Sequence, residues 1–511
     1  MQDTQPFFIR FLTALLFFFA AYYFLSIDLL GDPSIFKRWG DFGDEGYWLN
    51  GAKNFLYSGS ISNGIDQLNQ AEIGAPLYTL ILYLSFILFD DSLLTARSVS
   101  IFFTSLVVFI ICLTNFISLK NKFIFAILFI TSSTVISYGQ WATPQSIQIF
   151  FEFLTILLLC IPQKNGKNYA SFFSGASAAL VISTKLSGYI FVGCYFAVLI
   201  LLWMISRNIK PIIFALTGFV IFLTPLVIYL LLNLTELQVF LAGLGAHGAL
   251  INDNFPFIEF RPLFFLVYSY DTALKMILFL GILSGSFLLF SIKNKLKLDN
   301  LAPKDYIYFL FPAIMILLYC FLTITADISD RRVYSFIIPA IMSFILLLSF
   351  IESKIEEQYS KKLFLLNVLG IFLMLLNIYQ FSIIQSNRTF SHNALSVKLN
   401  TILKKYDCVT GISSHWFIAN TLATPIWYSK DIGYKAFNPK TPFMESNKCK
   451  RNFIIAGLFE GRSIDEELSI IDMKESGFQL EAVQKILIPS SGRLTVARFD
   501  GAIFELLDSD L

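Results

Sequence analysis

Runs of roughly 20 apolar residues, the length a helix needs to cross a bilayer, recur along this chain from Phe7 to beyond Tyr379, and short polar loops separate them. The pattern predicts spans over about residues 7–27, 95–117, 123–138, 147–162, 170–185, 189–205, 212–232, 274–291, 307–324, 333–350 and 363–383, about eleven in all. The first run is longer than a signal-peptide core and has no small-residue cleavage site, so it is expected to stay as a mature helix. After Asn387 the apolar runs stop. The predicted fold is mainly α, a polytopic membrane helical bundle over residues 1–385, followed by a soluble α/β domain over 386–511.

One apolar stretch, Pro76 to Phe89, is short for a span and runs straight into Asp90 and Asp91. Loop charges decide how it should lie. With the N-terminus inside and this stretch flat at the interface, Lys120, Lys122, Lys164, Lys167, Arg207, Lys210, Lys293, Lys295, Lys297, Lys304, Lys354, Lys361 and Lys362 all fall in short cytoplasmic loops. A crossing at residues 76–89 would put all of them on the wrong side. This topology predicts a first external loop over about residues 28–96, a second around Gln140 to Ser146, and a third from about Leu234 to Ala273. An odd number of spans then makes residues 386–511 extracytoplasmic.

Within that terminal domain Asn452 to Ala456 reads as a strand. Ser463 and Glu466 form a capping box ahead of a helix over 464–475, which Gly477 ends. Phe478 to Ile488 and Leu494 to Phe499 read as a hairpin joined by Pro489, Ser490, Ser491 and Gly492.

Composition agrees with the pattern, at 56% hydrophobic and only 14% charged residues. A net charge of +2, with the basic residues dispersed among loops, argues against a nucleic-acid partner. Cys112, Cys160, Cys194 and Cys320 lie in apolar runs, where a thiol behaves as a small hydrophobe. Cys408 and Cys449 lie outside them, in a domain placed in an oxidising compartment, and are expected to form a disulfide; two free thiols are the alternative. No P-loop pattern occurs, which argues against an ATP-driven machine, and His247, His392 and His415 are too scattered for a zinc site.

The first external loop carries Gly43, Asp44, Glu45, Gly46, Tyr47 and Trp48, followed by Ala52, Asn54 and the Ser58–Gly59 pair. This layout resembles the GT-C glycosyltransferases that use polyprenyl-phosphate sugars, among them the protein O-mannosyltransferases and the lipid A aminoarabinose transferases. The likeness continues through Pro76 and Leu77, Ala96 and Arg97, and Gly175 to Lys185 and Gly188, and covers most of residues 1–350. Arg332, Tyr334 and Pro339 resemble the Arg-rich start of a late helix in these enzymes.

The resemblance implies an inverting hexosyl- or pentosyltransferase acting at the outer face, with Asp44 as general base and Glu45 beside it in the catalytic pair. Such chemistry needs a base for the acceptor hydroxyl and cations for the phosphate leaving group. Arg97, Lys185 and Arg332 are the candidate donor-phosphate ligands, and Tyr47, Trp48 and Gln145 the candidate substrate contacts. Bland alternatives stand beside each. Asp44 could be a solvated loop acid, Arg97 and Lys185 could snorkel to the membrane surface, and Arg331 and Arg332 could pair with Asp327 and Asp330 in a loop.

One departure concerns metals. Many relatives carry an acid in the second external loop, where this chain reads Gln140, Trp141, Ala142, Thr143, Pro144, Gln145. No cofactor is expected and a divalent metal is not favoured, with Asp66, Glu72 and Glu152 as the possible substitute ligands. The Phe, Ile, Lys and Asn content is compatible with a bacterium of AT-rich genome, hence an undecaprenyl-phosphate donor, a cell (inner) membrane location, and a glycan, lipid or protein acceptor. The competing functions are a polymerase or ligase of lipid-linked glycans and a non-enzymatic flippase or transporter. Ionisable residues buried at helix centres would favour the last.

Overall fold

The computed structural model describes residues 6–27, 48–49, 51–52, 55–56, 75–90, 92–115, 117–160, 169–185, 188–232, 279–284, 286, 312, 314–315, 330–355, 368, 370–373, 375–379, 409–412, 452–459, 478–488 and 499–508. Its longer helices are α1 (Phe7–Ser26), α2 (Pro76–Leu88), α3 (Leu93–Leu113), α4 (Leu119–Ile130), α5 (Ser133–Gln140), α6 (Gln145–Cys160), α7 (Tyr169–Thr184), α8 (Tyr189–Ser206), α9 (Lys210–Leu232) and α10 (Asp330–Ile355). Among the described residues α1, α3 and α9 are long and apolar enough to cross a membrane on their own. The chain is an integral membrane protein of mainly helical fold.

Most helices fall where the apolar runs predict, but the run over 123–138 is two helices. Thr131 and Ser132 part α4 from α5. The Thr131 hydroxyl donates back to the Ile127 carbonyl at 2.5 Å and the Ser132 amide to Phe129 at 3.3 Å, a local alternative to the continuing helical ladder. The same region corrects another expectation. Lys122, counted among loop charges, sits inside α4 and is fully buried, as is its neighbour Asn121. Asn121 Nδ2 donates to Ser349 Oγ of α10 at 3.0 Å, and Asn377 Nδ2 donates to the Leu128 carbonyl at 3.3 Å.

Small residues set the closest packing. Gly175 of α7 lies against the backbone of Ala215 in α9, and Gly218 of α9 against the backbone of Phe172 in α7. A Cβ on Gly175 would stand 2.6 Å from the Ala215 carbonyl carbon and 2.8 Å from its Cα. Helices in lipid gain little from hydrophobic burial, so backbone approach of this kind is a main source of their association. Beside it, Ser174 and Ser177 of α7 donate to the Thr155 and Phe151 carbonyls of α6 at 2.9 and 2.8 Å.

The short apolar stretch after Ala75 is a helix, α2, of 13 residues, with Pro76 at its first position, where a missing N–H costs nothing. At 1.5 Å per residue that is roughly 20 Å, well short of the hydrocarbon core. Tyr78, Thr79, Leu82 and Phe86 are buried, while Leu80, Leu84, Leu88 and Phe89 are exposed on the other side.

Beyond residue 408 the described residues form a four-stranded sheet of β1 (Val409–Ile412), β2 (Asn452–Phe459), β3 (Phe478–Ile488) and β4 (Phe499–Asp508), in the order β1-β2-β4-β3. β1 runs parallel to β2, and β4 is antiparallel to both β2 and β3. β2 starts where the sequence predicts. The hairpin partner of β3 does not: it is Phe499–Asp508, pairing from Phe478↔Asp508 to Ile488↔Phe499, rather than residues 494–499. A six-residue strand would leave half of the β3 ladder without partners, and unpaired backbone groups are costly. The helix expected over 464–475 lies outside the described residues.

Candidate active site

The site starts from a helix cap. Ser92 accepts the Thr95 amide at 3.2 Å and donates to Asp90 Oδ1 at 2.6 Å; Thr95 Oγ1 also donates to Asp90. This satisfies an amide that the first turn of α3 would otherwise leave unpaired. It also fixes the start of α3 at Leu93, which places Arg97 in the second turn of the helix. The Arg97 side chain is 1% exposed, one of the largest fully buried side chains among the described residues. A snorkelling arginine keeps its guanidinium in water, so burial within the protein overturns that alternative. Arginine is almost never buried this completely unless it is paired.

Beside Arg97 in the chain, Ala96 belongs to an apolar cluster assembled from four separate stretches. Leu49 and Ala52 come from the first loop, Ala75, Tyr78, Leu82 and Phe86 from α2 and the residue before it, Ala96 from α3, and Ala142 and Ile147 from the start of α6 and the turn before it. Trp48 packs against the same cluster. Lys185, at the end of α7, stands 5.6 Å from the centroid of the Trp48 ring, within the range of a cation–π contact. The ammonium thus faces the first loop, and the structure brings together two residues that the sequence singled out separately.

The turn between α5 and α6 is interior, although connecting segments normally run over the surface. Gln140, Trp141, Ala142, Thr143 and Gln145 are all at most 4% exposed. Gln140 Nε2 donates to the Leu25 carbonyl at the end of α1 at 2.6 Å, and the Thr143 amide turns back to the Trp141 carbonyl at 2.8 Å. Several polar side chains here, apart from Gln145, escape the sequence reading. The hydroxyls of Thr79, Ser100 and Thr143 and both amide atoms of Gln145 are buried and have no hydrogen-bond partner among the described residues. Thr79 shares a face of α2 with Ala75, and Ser100 lies one turn beyond Ala96 on α3, so each is next to a member of the cluster. Their spacing on these short apolar faces was the available signal.

Other candidates separate from this group. Asp330, Arg331 and Arg332 open α10 as its first turn; their side chains, and Asp327, lie outside the described residues. Asp44, Glu45, Tyr47, Cys408 and Cys449 also lie outside them. Glu152, in the middle of α6, is fully buried and accepts from Gln148 Nε2 at 2.7 Å. Cys112, Cys160 and Cys194 are buried, as their apolar runs imply.

The sequence matches no protein-family model and no curated protein. Solved structures do match. The apo crystal structure of ArnT from Cupriavidus metallidurans aligns with a TM-score of 0.58 over 96% of this chain and 97% of that one, at 9% identity. Its undecaprenyl phosphate-bound form aligns with a TM-score of 0.56 over the same shares, at 11% identity. The fold is that of ArnT. ArnT is a lipid A aminoarabinose transferase of the GT-C class, so the resemblance expected from the sequence agrees with the fold.

Proposed function

We propose that this protein is a GT-C glycosyltransferase of the cell (inner) membrane, which moves a sugar from a polyprenyl-phosphate donor to an acceptor at the outer face. The observation that carries this reading is the fully buried Arg97, whose neighbour Ala96 on α3 belongs to the cluster that Trp48 packs against. The planar fork of a guanidinium matches phosphate oxygens bidentately. ArnT, whose fold this chain shares, has been crystallised with undecaprenyl phosphate, which supports a donor of that class.

In the proposed reaction the acceptor hydroxyl oxygen attacks the anomeric carbon of the donor sugar. Asp44 takes its proton, with Glu45 beside it. The bond from the anomeric carbon to the phosphate oxygen breaks, and polyprenyl phosphate departs with the electron pair, inverting the anomeric centre. Arg97 and Lys185, joined by Arg332, offset the charge that builds on the leaving phosphate in place of a divalent cation. Tyr47 and Trp48 flank the reacting sugar. About eleven spans, a cytoplasmic N-terminus and an extracytoplasmic domain over 386–511 with a Cys408–Cys449 bridge complete the proposal. Asp44→Asn should abolish transfer from a short-chain polyprenyl-phosphate sugar while leaving expression intact. Loss of a general base typically removes about 10²- to 10⁴-fold of the rate, so a variant that keeps a third of wild-type turnover sinks the assignment.

Glu152 favours a second reading, a flippase for lipid-linked sugars. An acid buried at the centre of a membrane helix is by default a candidate for a substrate or proton path. Movement of a labelled polyprenyl phosphate across proteoliposomes, lost in Glu152→Gln but not in Asp44→Asn, would establish it.

A further inference from the structure

We propose that Thr79, Ser100, Thr143 and Gln145 form the subsite that reads the hydroxyl groups of the donor sugar, an assignment that rests on the transferase reading above. Burying a hydroxyl or amide with no hydrogen-bond partner costs on the order of 1–3 kcal/mol, and folded proteins tolerate such groups rarely. Here several occur around one cluster. Thr79 is 2% exposed, Ser100 0%, Thr143 1% and Gln145 2%, and none of their side-chain polar atoms has a partner among the described residues. They come from α2, α3, the interior turn and the first residue of α6, the elements whose apolar residues pack together as one group.

The chemistry of the set selects the ligand. Each hydroxyl can donate one hydrogen bond and accept others, and the glutamine amide offers an acceptor and two donors side by side. That array suits a molecule whose own groups both donate and accept, which is the pattern of sugar hydroxyls. All four side chains are uncharged, so the set adds no charge against the phosphate, a role that falls to Arg97 and Lys185. A site built to pair with ligand hydroxyls also rejects analogues that lack them, because its buried groups are then left unpaired.

The test compares two probes on the full chain in detergent: a short-chain polyprenyl phosphate, and the same carrier esterified with glucose, mannose or galactose. Thr79→Val, Ser100→Ala, Thr143→Val and Gln145→Leu keep shape but remove the polar atoms. Each hydroxyl variant should weaken binding of the preferred sugar ester by about three- to tenfold, and Gln145→Leu by about tenfold or more. Affinity for the bare carrier should not change, which also serves as the check that each variant is folded. Thermal stability should hold or rise, because a buried polar group without a partner has been removed. Sugar-ester affinities equal to wild type in all four variants overturn the proposal. So does a loss of stability with no selective loss of sugar affinity, the outcome for purely structural or hydrated positions. A wild type that binds the bare carrier but gains nothing from any of the sugars overturns the proposal and leaves the donor reading standing. A wild type that binds neither probe removes both.

Discussion

Replacing Gly175 with Ala adds one methyl group at the tightest helix contact described. The new Cβ would lie 2.6 Å from the Ala215 carbonyl carbon and 2.8 Å from the Ala215 Cα, where carbon atoms normally approach to about 3.5–4.0 Å. The obstacle is backbone, so no side chain can swing aside; α7 and α9 must part by about 1 Å. A gap of 0.5–1 Å forfeits roughly a quarter to a half of the dispersion well for the atoms lining it. Overpacking of this kind costs typically about 1–3 kcal/mol, and the better helix propensity of alanine returns up to about 1 kcal/mol. The net expectation is a loss of about 1–2 kcal/mol. Gly193 of α8 is the control, because a Cβ there meets nothing within 4 Å. Thermal unfolding in detergent should therefore move in opposite directions, with a lower apparent Tm for Gly175→Ala and an equal or higher one for Gly193→Ala. Equal shifts in the two variants would refute the packing argument.

Arg97→Met should weaken binding of short-chain polyprenyl phosphate at least tenfold, because the buried cation that meets the phosphate is lost; an unchanged Kd returns Arg97 to a structural role. Trp48→Leu should weaken the same binding by about two- to thirtyfold through the Lys185 ammonium, consistent with about 0.5–1 kcal/mol for an exposed cation–π contact and about 2 for a desolvated one, and Lys185→Ala in the Trp48→Leu background should add little further. In intact cells Cys408 and Cys449 should resist an impermeant maleimide until a reductant is added. Labelling without reductant, or labelling only after the membrane is opened, would remove the disulfide or the topology respectively.

Helix existence was legible because a span must satisfy its own backbone hydrogen bonds, and an apolar run of the right length has few alternatives in lipid. Breaks and faces were harder to read. Thr131 and Ser132 interrupt a run whose hydropathy barely changes, so only the hydroxyl chemistry marks the division between α4 and α5. Arg97 was recognised as important, but its burial was not, because helices apolar all round do not reveal which face meets protein and which meets lipid. For the same reason Lys122 was counted with the loop charges. Trp48 and Lys185 were each singled out, while their contact is tertiary and leaves no trace in spacing. Thr79, Ser100 and Thr143 went unnoticed because a single hydroxyl on an apolar helix usually bonds back to its own backbone, as Thr104 does to Ser100 at 2.9 Å.

The bond from Asn121 to Ser349 has a consequence for how the protein is made. Ribosomes extend a chain at roughly 5–20 residues per second, so the acceptor at position 349 emerges roughly 10–45 seconds after the asparagine that needs it, and the partner of Leu128 at position 377 later still. Throughout that interval α4 carries the Asn121 amide, destined for a buried position, with its Ser349 acceptor not yet synthesised. Lipid cannot satisfy that group. The nascent protein therefore depends on whatever shelters polar side chains at the insertion machinery, and the late helices act as a closing wedge whose arrival releases α4 from that custody.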